Sequence, residues 1–220
     1  MKDYMKNVTE FHHPLIDHKV SLLCDVNTSP KEFSELVKEL ATLMGYETLK
    51  DLKTKDVTIH APLATFPSPM LAENFTIVPI LRAGLGMVDG LRALQPTAKI
   101  GHIGLFRDEE TLQPKTYYFK LPEDVTKGQV ILVDPAFATG GSADAAITFL
   151  KDAGCKDIKF MCIFAAKQGV QLLAKNHPDV HIYCAKYSDE DLNEKGYILT
   201  AAGDAGDRIN GTVSYKKDFE

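Results

Sequence analysis

The chain of 220 residues carries 25 Lys and Arg against 30 Asp and Glu, a formal charge of −5, with 45% apolar and 25% charged residues. That is the composition of a folded globular chain. It holds no run of the roughly 18 apolar residues that a membrane-spanning helix needs, and its acidity argues against a general nucleic-acid coat, which draws on clustered Lys and Arg. Residues 1–10 mix charges of both signs without an apolar core, unlike a secretory signal. No membrane or nucleic-acid partner is expected, and the location expected is cytoplasmic.

His12, His13 and His18 cluster near the start without further ligands at metal-binding spacing, so surface or packing roles are expected. The first clear element is a helix over 30–44. Ser29 caps it, Pro30 suits its first position and Glu32 completes a capping box. Phe33, Leu36, Val37, Leu40, Leu43 and Met44 share one 3.6-residue face, and Gly45 is read as the stop. From residue 75 short apolar runs alternate with helical segments. The pattern predicts a strand over 75–81, a helix over 87–94, a strand over 99–106 and one limb of a hairpin over 117–121. A core strand follows over 130–133, then a helix over 143–150 ended by Gly154. A strand over 158–165, a helix over 170–175 and a strand over 181–185 complete the series. Cys24, Cys155, Cys162 and Cys184 form no Cys-x-x-Cys pair, and Cys162 and Cys184 lie inside apolar runs, so structural thiols are expected.

No repeat, low-complexity tract or linker divides the sequence, so one domain over 1–220 is expected. Strands alternating with helices predict an α/β fold with a doubly wound, mainly parallel sheet flanked by helices. In such sheets ligands sit in the loops at the carboxyl ends of the strands.

The most informative run is Val130-Ile131-Leu132-Val133-Asp134-Pro135-Ala136-Phe137-Ala138-Thr139-Gly140-Gly141-Ser142. A buried strand ends in an acid, and a small-residue loop opens a helix. Unpaired N–H groups and the dipole at a helix N-terminus suit a phosphate monoester. Gly140 and Gly141 permit close backbone approach, Thr139 and Ser142 add hydroxyls, and Asp134 suits sugar hydroxyls nearby. The run is neither a Walker A loop nor Gly-x-Gly-x-x-Gly.

This run resembles the phosphoribosyltransferase fingerprint in the form found in uracil phosphoribosyltransferases. Further matching runs are His13-Pro14-Leu15-Ile16, Val78-Pro79-Ile80-Leu81-Arg82-Ala83-Gly84, Gly101-His102-Ile103-Gly104, Arg107-Asp108-Glu109-Glu110 and Gly203-Asp204-Ala205-Gly206-Asp207-Arg208. The resemblance implies a phosphoribosyltransferase-like fold with a β-hairpin arm and a C-terminal base-recognition segment. The reaction it implies joins N1 of uracil to C1 of the ribose of 5-phosphoribosyl-1-diphosphate (PRPP), giving UMP and pyrophosphate.

By the same resemblance, Arg82 and Arg107 hold the leaving diphosphate, a task that suits guanidinium forks. Asp134 holds the ribose hydroxyls. Pro135, Ala136, Phe137, Ala138, Thr139, Gly140, Gly141 and Ser142 surround the PRPP phosphate. Ile198, Gly203, Asp204 and Ala205 read uracil through main-chain groups, and Asp204 also contacts PRPP. Arg82, Arg107 and Asp204 are the residues expected at the reacting centre. Mg²⁺ chelated by the substrate, GTP as an activator and a homo-oligomer (dimer or tetramer) are further implications. The segment 108–121 reads equally as a flap over the site or an arm onto a second subunit.

The chain departs from the family pattern at Ala136-Phe137 (usually Met-Leu), at Thr200-Ala201-Ala202 (usually Pro-Gly-Leu) and at Lys167-Gln168 (usually Pro-Glu). Two other readings follow: a PRPP-sensing regulator, which predicts a basic RNA-binding face, and a transferase for a different base.

Overall fold

The computed structural model describes residues 3–107 and 114–213. After a 3-10 turn at Asp3–Met5 come β1 (Val8–Glu10), α1 (Pro14–Cys24) and α2 (Pro30–Thr48), then β2 (Thr54–His60) and β3 (Thr65–Leu71). β4 (Thr76–Leu81), α3 (Leu85–Leu94), β5 (Lys99–Ile100), β6 (His102–Arg107) and β7 (Pro114–Lys120) follow. The second half holds β8 (Val130–Val133), β9 (Ala136–Phe137), α4 (Gly141–Asp152), β10 (Ile158–Ala166), α5 (Lys167–Asn176), β11 (His181–Ser188) and α6 (Ala205–Asn210).

The main sheet runs β1-β11-β10-β8-β4-β6-β7, with β5 beside β4 and β9 beside β10. Every pairing in it is parallel except β6 with β7. β4, β8 and β10 are buried almost throughout, as parallel strands covered on both faces must be. Alternate residues feed two apolar cores. Ile131 and Val133 face the side covered by α1, α2 and α3, whereas Val130 and Leu132 face the side covered by α4 and α5. The doubly wound sheet expected from the alternation is therefore present. From β4 the chain crosses through α3 toward β5 and β6; from β8 it crosses the other way through α4 to β10. The two strands are neighbours, so their carboxyl ends meet at the point where the winding reverses, and a crevice opens there.

Particular expectations fare differently. The capping box forms: the Ser29 hydroxyl accepts from the Glu32 N–H at 3.3 Å, and the Glu32 carboxylate accepts from the Ser29 N–H at 3.0 Å. Gly45 does not stop α2, which continues to Thr48. A Cβ at Gly45 would lie 2.5 Å from Leu91 Cδ2, so this glycine marks the close approach of α3. The strand over 99–106 is broken at Gly101, and the hairpin limb over 117–121 belongs to β7, whose partner is β6 itself. Residues 108–113 of the expected arm lie outside the described residues.

A hairpin does stand apart from the main sheet, but it is β2–β3, which the pattern did not indicate. The His13 ring nitrogen caps α1 by accepting from the Leu15 N–H at 3.1 Å. His12, His13 and His18 are all exposed, so of the surface or packing roles expected of them the surface one holds, with a cap added at His13. All four cysteines are free, and Cys155, Cys162 and Cys184 are buried, which raises their thiol pKa and suits inert core positions. Among the described residues no helix is long and apolar enough to cross a membrane.

Candidate active site

Two strand exits build one wall. β4 ends at Leu81, the Leu81–Arg82 peptide is cis, and Arg82 emerges at the crevice. Gly84 then turns the chain against the sheet, where a Cβ would sit 2.5 Å from the Val133 carbonyl oxygen; any larger residue would push the Arg82 loop off its strand. β8 ends at Val133, and Asp134 stands next to it. The following loop is tied to β10, because the Pro135 carbonyl accepts from the Ile163 and Phe164 N–H groups at 3.1 and 2.9 Å.

The loop enters α4 through Gly140, the N-cap residue, at φ 90° with no side chain spent on capping. Left-handed backbone of this kind favours glycine. The first N–H groups of a twelve-residue helix are thus left for a ligand. A Cβ at Gly141 would meet nothing within 4 Å, so the helix mouth is open.

The opposite wall comes from the C-terminal segment. Asn193 organises a turn by accepting the Lys195 and Tyr197 N–H groups at 3.0 and 2.8 Å. Asp204 caps α6, its carboxylate accepting from the Asp207 N–H at 2.9 Å and from the Tyr197 hydroxyl at 3.4 Å. Asp207 in turn stands 3.4 Å from Arg82 Nη2.

A cavity of about 370 Å³ lies between these walls. Of the residues expected at the site, Arg82, Asp134, Ala136, Phe137, Ala138, Thr139, Gly140, Ser142, Ile198, Gly203, Asp204 and Ala205 line it. Pro135 and Gly141 belong to the same loop and helix start without lining the cavity. Arg107 closes β6, the parallel neighbour of β4; its side chain lies outside the described residues.

Ala83, from the matched run ending at Gly84, also lines the cavity, as do Lys195 and Phe164, which were not among the residues expected there. Lys195 had a signal in the sequence, as a cation two residues ahead of Tyr197-Ile198. Phe164 gave no signal, because its place depends on β10 lying beside β9.

Among the described residues Asp134 is the acid most changed by its setting. Burial pushes its carboxyl up to about 7, the Ala136 N–H at 3.4 Å opposes the shift, and the negative charge of Asp204 adds to it. Near neutrality Asp134 is therefore divided between a hydroxyl donor and an ionised acceptor. The cavity offers a helix mouth for a phosphate, paired acids for a polyhydroxyl or cationic group, and an exposed guanidinium for a second anion.

Comparison with known proteins agrees with this geometry. The family described as uracil phosphoribosyltransferase matches residues 10–212. A uracil phosphoribosyltransferase of Brevibacillus brevis is 55% identical over 209 residues, covering 94% of this chain and 100% of that protein. One from Clostridium botulinum strain Hall is 54% identical with the same coverage. The solved structure of an Aquifex aeolicus protein superposes with TM-score 0.89 at 34% identity, covering 94% of this chain and 100% of that one. An adenine phosphoribosyltransferase from Trypanosoma brucei, at TM-score 0.57 and 12% identity over 86% of this chain and 88% of that one, shares the fold. Motifs, crevice and relatives converge, and the chain belongs to the uracil phosphoribosyltransferase family.

Proposed function

We propose that the protein transfers the 5-phosphoribosyl group of PRPP to N1 of uracil, forming UMP and releasing pyrophosphate. The observation that carries this reading is the single cavity shared by a helix mouth, Arg82, Asp134 and the 198–205 segment. A polyanionic sugar and a small neutral base both find their complements there. Unpaired amides at the start of α4, with Thr139 and Ser142, suit the 5-phosphate. Asp134 suits the ribose hydroxyls, and Arg82, with Arg107 as a second cation, suits the departing diphosphate. Main-chain groups of Ile198 and Gly203–Ala205 suit the acceptor–donor–acceptor edge of uracil. Cytosine would leave buried groups unpaired there.

In the reaction the ribose C1–O bond to diphosphate breaks as the C1–N1 bond forms, through an oxocarbenium-like state. The acids Asp134 and Asp204 face the cationic ribose, and Arg82 faces the leaving group, so catalysis is charge stabilisation and positioning. Two carboxyls at one cavity also suit a hydrated Mg²⁺ held mainly by substrate oxygens. When bound, that ion offsets charge on the diphosphate.

The reading extends to assembly and place. The free-standing β2–β3 hairpin presents Val57, Ile59, Phe66 and Met70 on one face, with Phe66 and Met70 exposed. A two-stranded ribbon is marginal alone in water, so we assign this face to a second copy of the chain in a homo-oligomer. Free, buried thiols suit a reducing, cytoplasmic location.

The test is purified protein with uracil, PRPP and Mg²⁺, following UMP release, with and without GTP as activator. Turnover with uracil and little with cytosine or hypoxanthine is expected. Equal use of cytosine overturns main-chain recognition of the base.

A further inference from the structure

The part of the cavity wall assigned to uracil, residues 198–204, has no regular secondary structure. Its internal support is a turn in which the Ala201 N–H donates to the Ile198 carbonyl at 3.3 Å. Gly203, at φ 71°, lies in the left-handed region. Selecting a base by peptide groups requires that those groups not rotate, so something outside the segment has to hold it.

Two cations do so from behind. Lys186, on β11, donates through Nζ to the Thr200 carbonyl at 3.0 Å. Arg208, on α6, donates through Nη1 to the Ala202 carbonyl at 3.3 Å. Arg208 is only 7% exposed. The same guanidinium reaches the α1–α2 connection, donating to the Leu23 carbonyl at 2.6 Å and to the Asp25 and Thr28 carbonyls at 2.6 and 3.4 Å. It also lies 4.5 Å over the Phe33 ring. A guanidinium is a planar fork whose donors keep fixed angles. It therefore sets the position of Ala202 relative to the end of α1 and the start of α2, which are anchored in the core through Leu23 and Phe33.

We propose that Arg208, seconded by Lys186, is a positioning residue for base recognition. It touches no substrate; it fixes the peptide groups of Ala202–Ala205 in the orientation that distinguishes uracil from cytosine. This rests on the assignment of 198–205 to the base. Loosening the clamp weakens uracil binding and lowers the penalty for cytosine, because a mobile peptide turns to satisfy the wrong edge. The 5-phosphate and diphosphate sites, built on β4, β8 and α4, lie apart from the clamp, and the Asp204 carboxylate assigned to the ribose is held separately as the N-cap of α6, accepting from the Asp207 N–H at 2.9 Å.

The experiment compares Arg208→Lys, Lys186→Met and Ala202→Leu with the unaltered protein in KM for uracil, KM for PRPP, kcat and the uracil-to-cytosine ratio. Lysine at 208 keeps the charge but cannot fork to four carbonyls. A rise in uracil KM of roughly ten-fold, the scale of a lost hydrogen bond to a charged group, is expected with PRPP KM held within about two-fold and a reduced uracil-to-cytosine ratio. Lys186→Met gives the same pattern at roughly three-fold.

If Arg208→Lys does not fold, Lys186→Met decides: a rise confined to uracil supports the clamp, and no rise overturns it. Equal changes in both KM values for either variant also overturn it. Ala202→Leu places bulk on the cavity wall and separates the two readings. If it raises uracil KM while the clamp variants do not, the clamp fails and the base assignment stands. If it leaves uracil KM unchanged, the base assignment fails with it.

Discussion

Arg82 Nη2 stands 3.4 Å from the Asp207 carboxylate, joining residues 125 positions apart across the mouth of the cavity. The arginine side chain is 58% exposed, so water screens the pair and it contributes little to stability. It keeps the guanidinium at the cavity wall, where the proposed function assigns it to the diphosphate. Arg82→Ala is expected to lower kcat/KM for PRPP roughly 100-fold, as loss of a charge-assisted phosphate contact does. Asp207→Asn should move the thermal midpoint by less than about 2 °C. Initial rates at varied PRPP and a melting curve check both, and an unchanged PRPP dependence in Arg82→Ala removes the arginine from the diphosphate site.

Asp134 is expected to make both stability and activity depend on pH. Its folded carboxyl, at about 7, keeps a proton that the unfolded carboxyl has released, so stability falls as pH rises from about 4 to about 7 and levels off above. Asp134→Asn should remove this slope and stabilise the protein by about 4 kcal/mol at pH 8 relative to pH 4. In activity the dependence has the opposite sign, because the ribose hydroxyls need the ionised acceptor: kcat/KM for PRPP should fall below an apparent pKa of about 7. Chemical denaturation and PRPP kinetics across pH 4–9 measure the two effects.

Gly140 and Gly141 are neighbours with opposite requirements. Gly140 is left-handed, and a Cβ there would lie 2.9 Å from Gly169 Cα. Gly140→Ala should cost about 2 kcal/mol in stability and abolish tight PRPP binding. Gly141→Ala meets open space within α4, and should raise stability by about 0.5 kcal/mol while weakening PRPP, since the added methyl occupies the helix mouth. Thermal melts paired with PRPP titrations read both, and the contrast between the variants is the decisive result.

A stability defect without a kinetic one is expected at the other end of the sheet. Lys159, the second residue of β10, is buried and donates to the Thr48 carbonyl at 2.6 Å as well as pairing with Asp51. Lys159→Met leaves that carbonyl unsatisfied and should cost about 1–3 kcal/mol, with both KM values unchanged below the new melting range. A change in either KM would mean that this buried pair communicates with the cavity.

The β2–β3 ribbon gives a prediction about mass. Phe66→Asp combined with Met70→Asp places two charges on the face assigned to a second copy. Sedimentation should then move from oligomer to monomer at micromolar concentration. An unaltered oligomer would assign its contacts to another surface.

Much of this protein was legible in local sequence. The Ser29–Glu32 capping box, the run from Val130 to Val133 and the helix opened by Gly140 and Gly141 are determined within a turn or two of chain, because caps, periodicity and glycine geometry act over that range. With the rule that ligands gather at strand exits, this was enough to bring Arg82, Asp134 and the loop up to Ser142 toward one site. What lay beyond it was decided by partners distant in the chain. Gly45 stays helical because α3 packs against it. β3 forms although it holds Pro67 and Pro69, because a two-stranded ribbon has an outer edge where missing N–H groups cost nothing. Arg208 reads as the end of an acidic turn until folding carries the carbonyls of Leu23, Asp25 and Thr28 to it. Local pattern specifies how each segment coils or extends; which buried donor meets which acceptor is settled only when the segments pack, since desolvation forces every such group to find a partner wherever in the chain it lies.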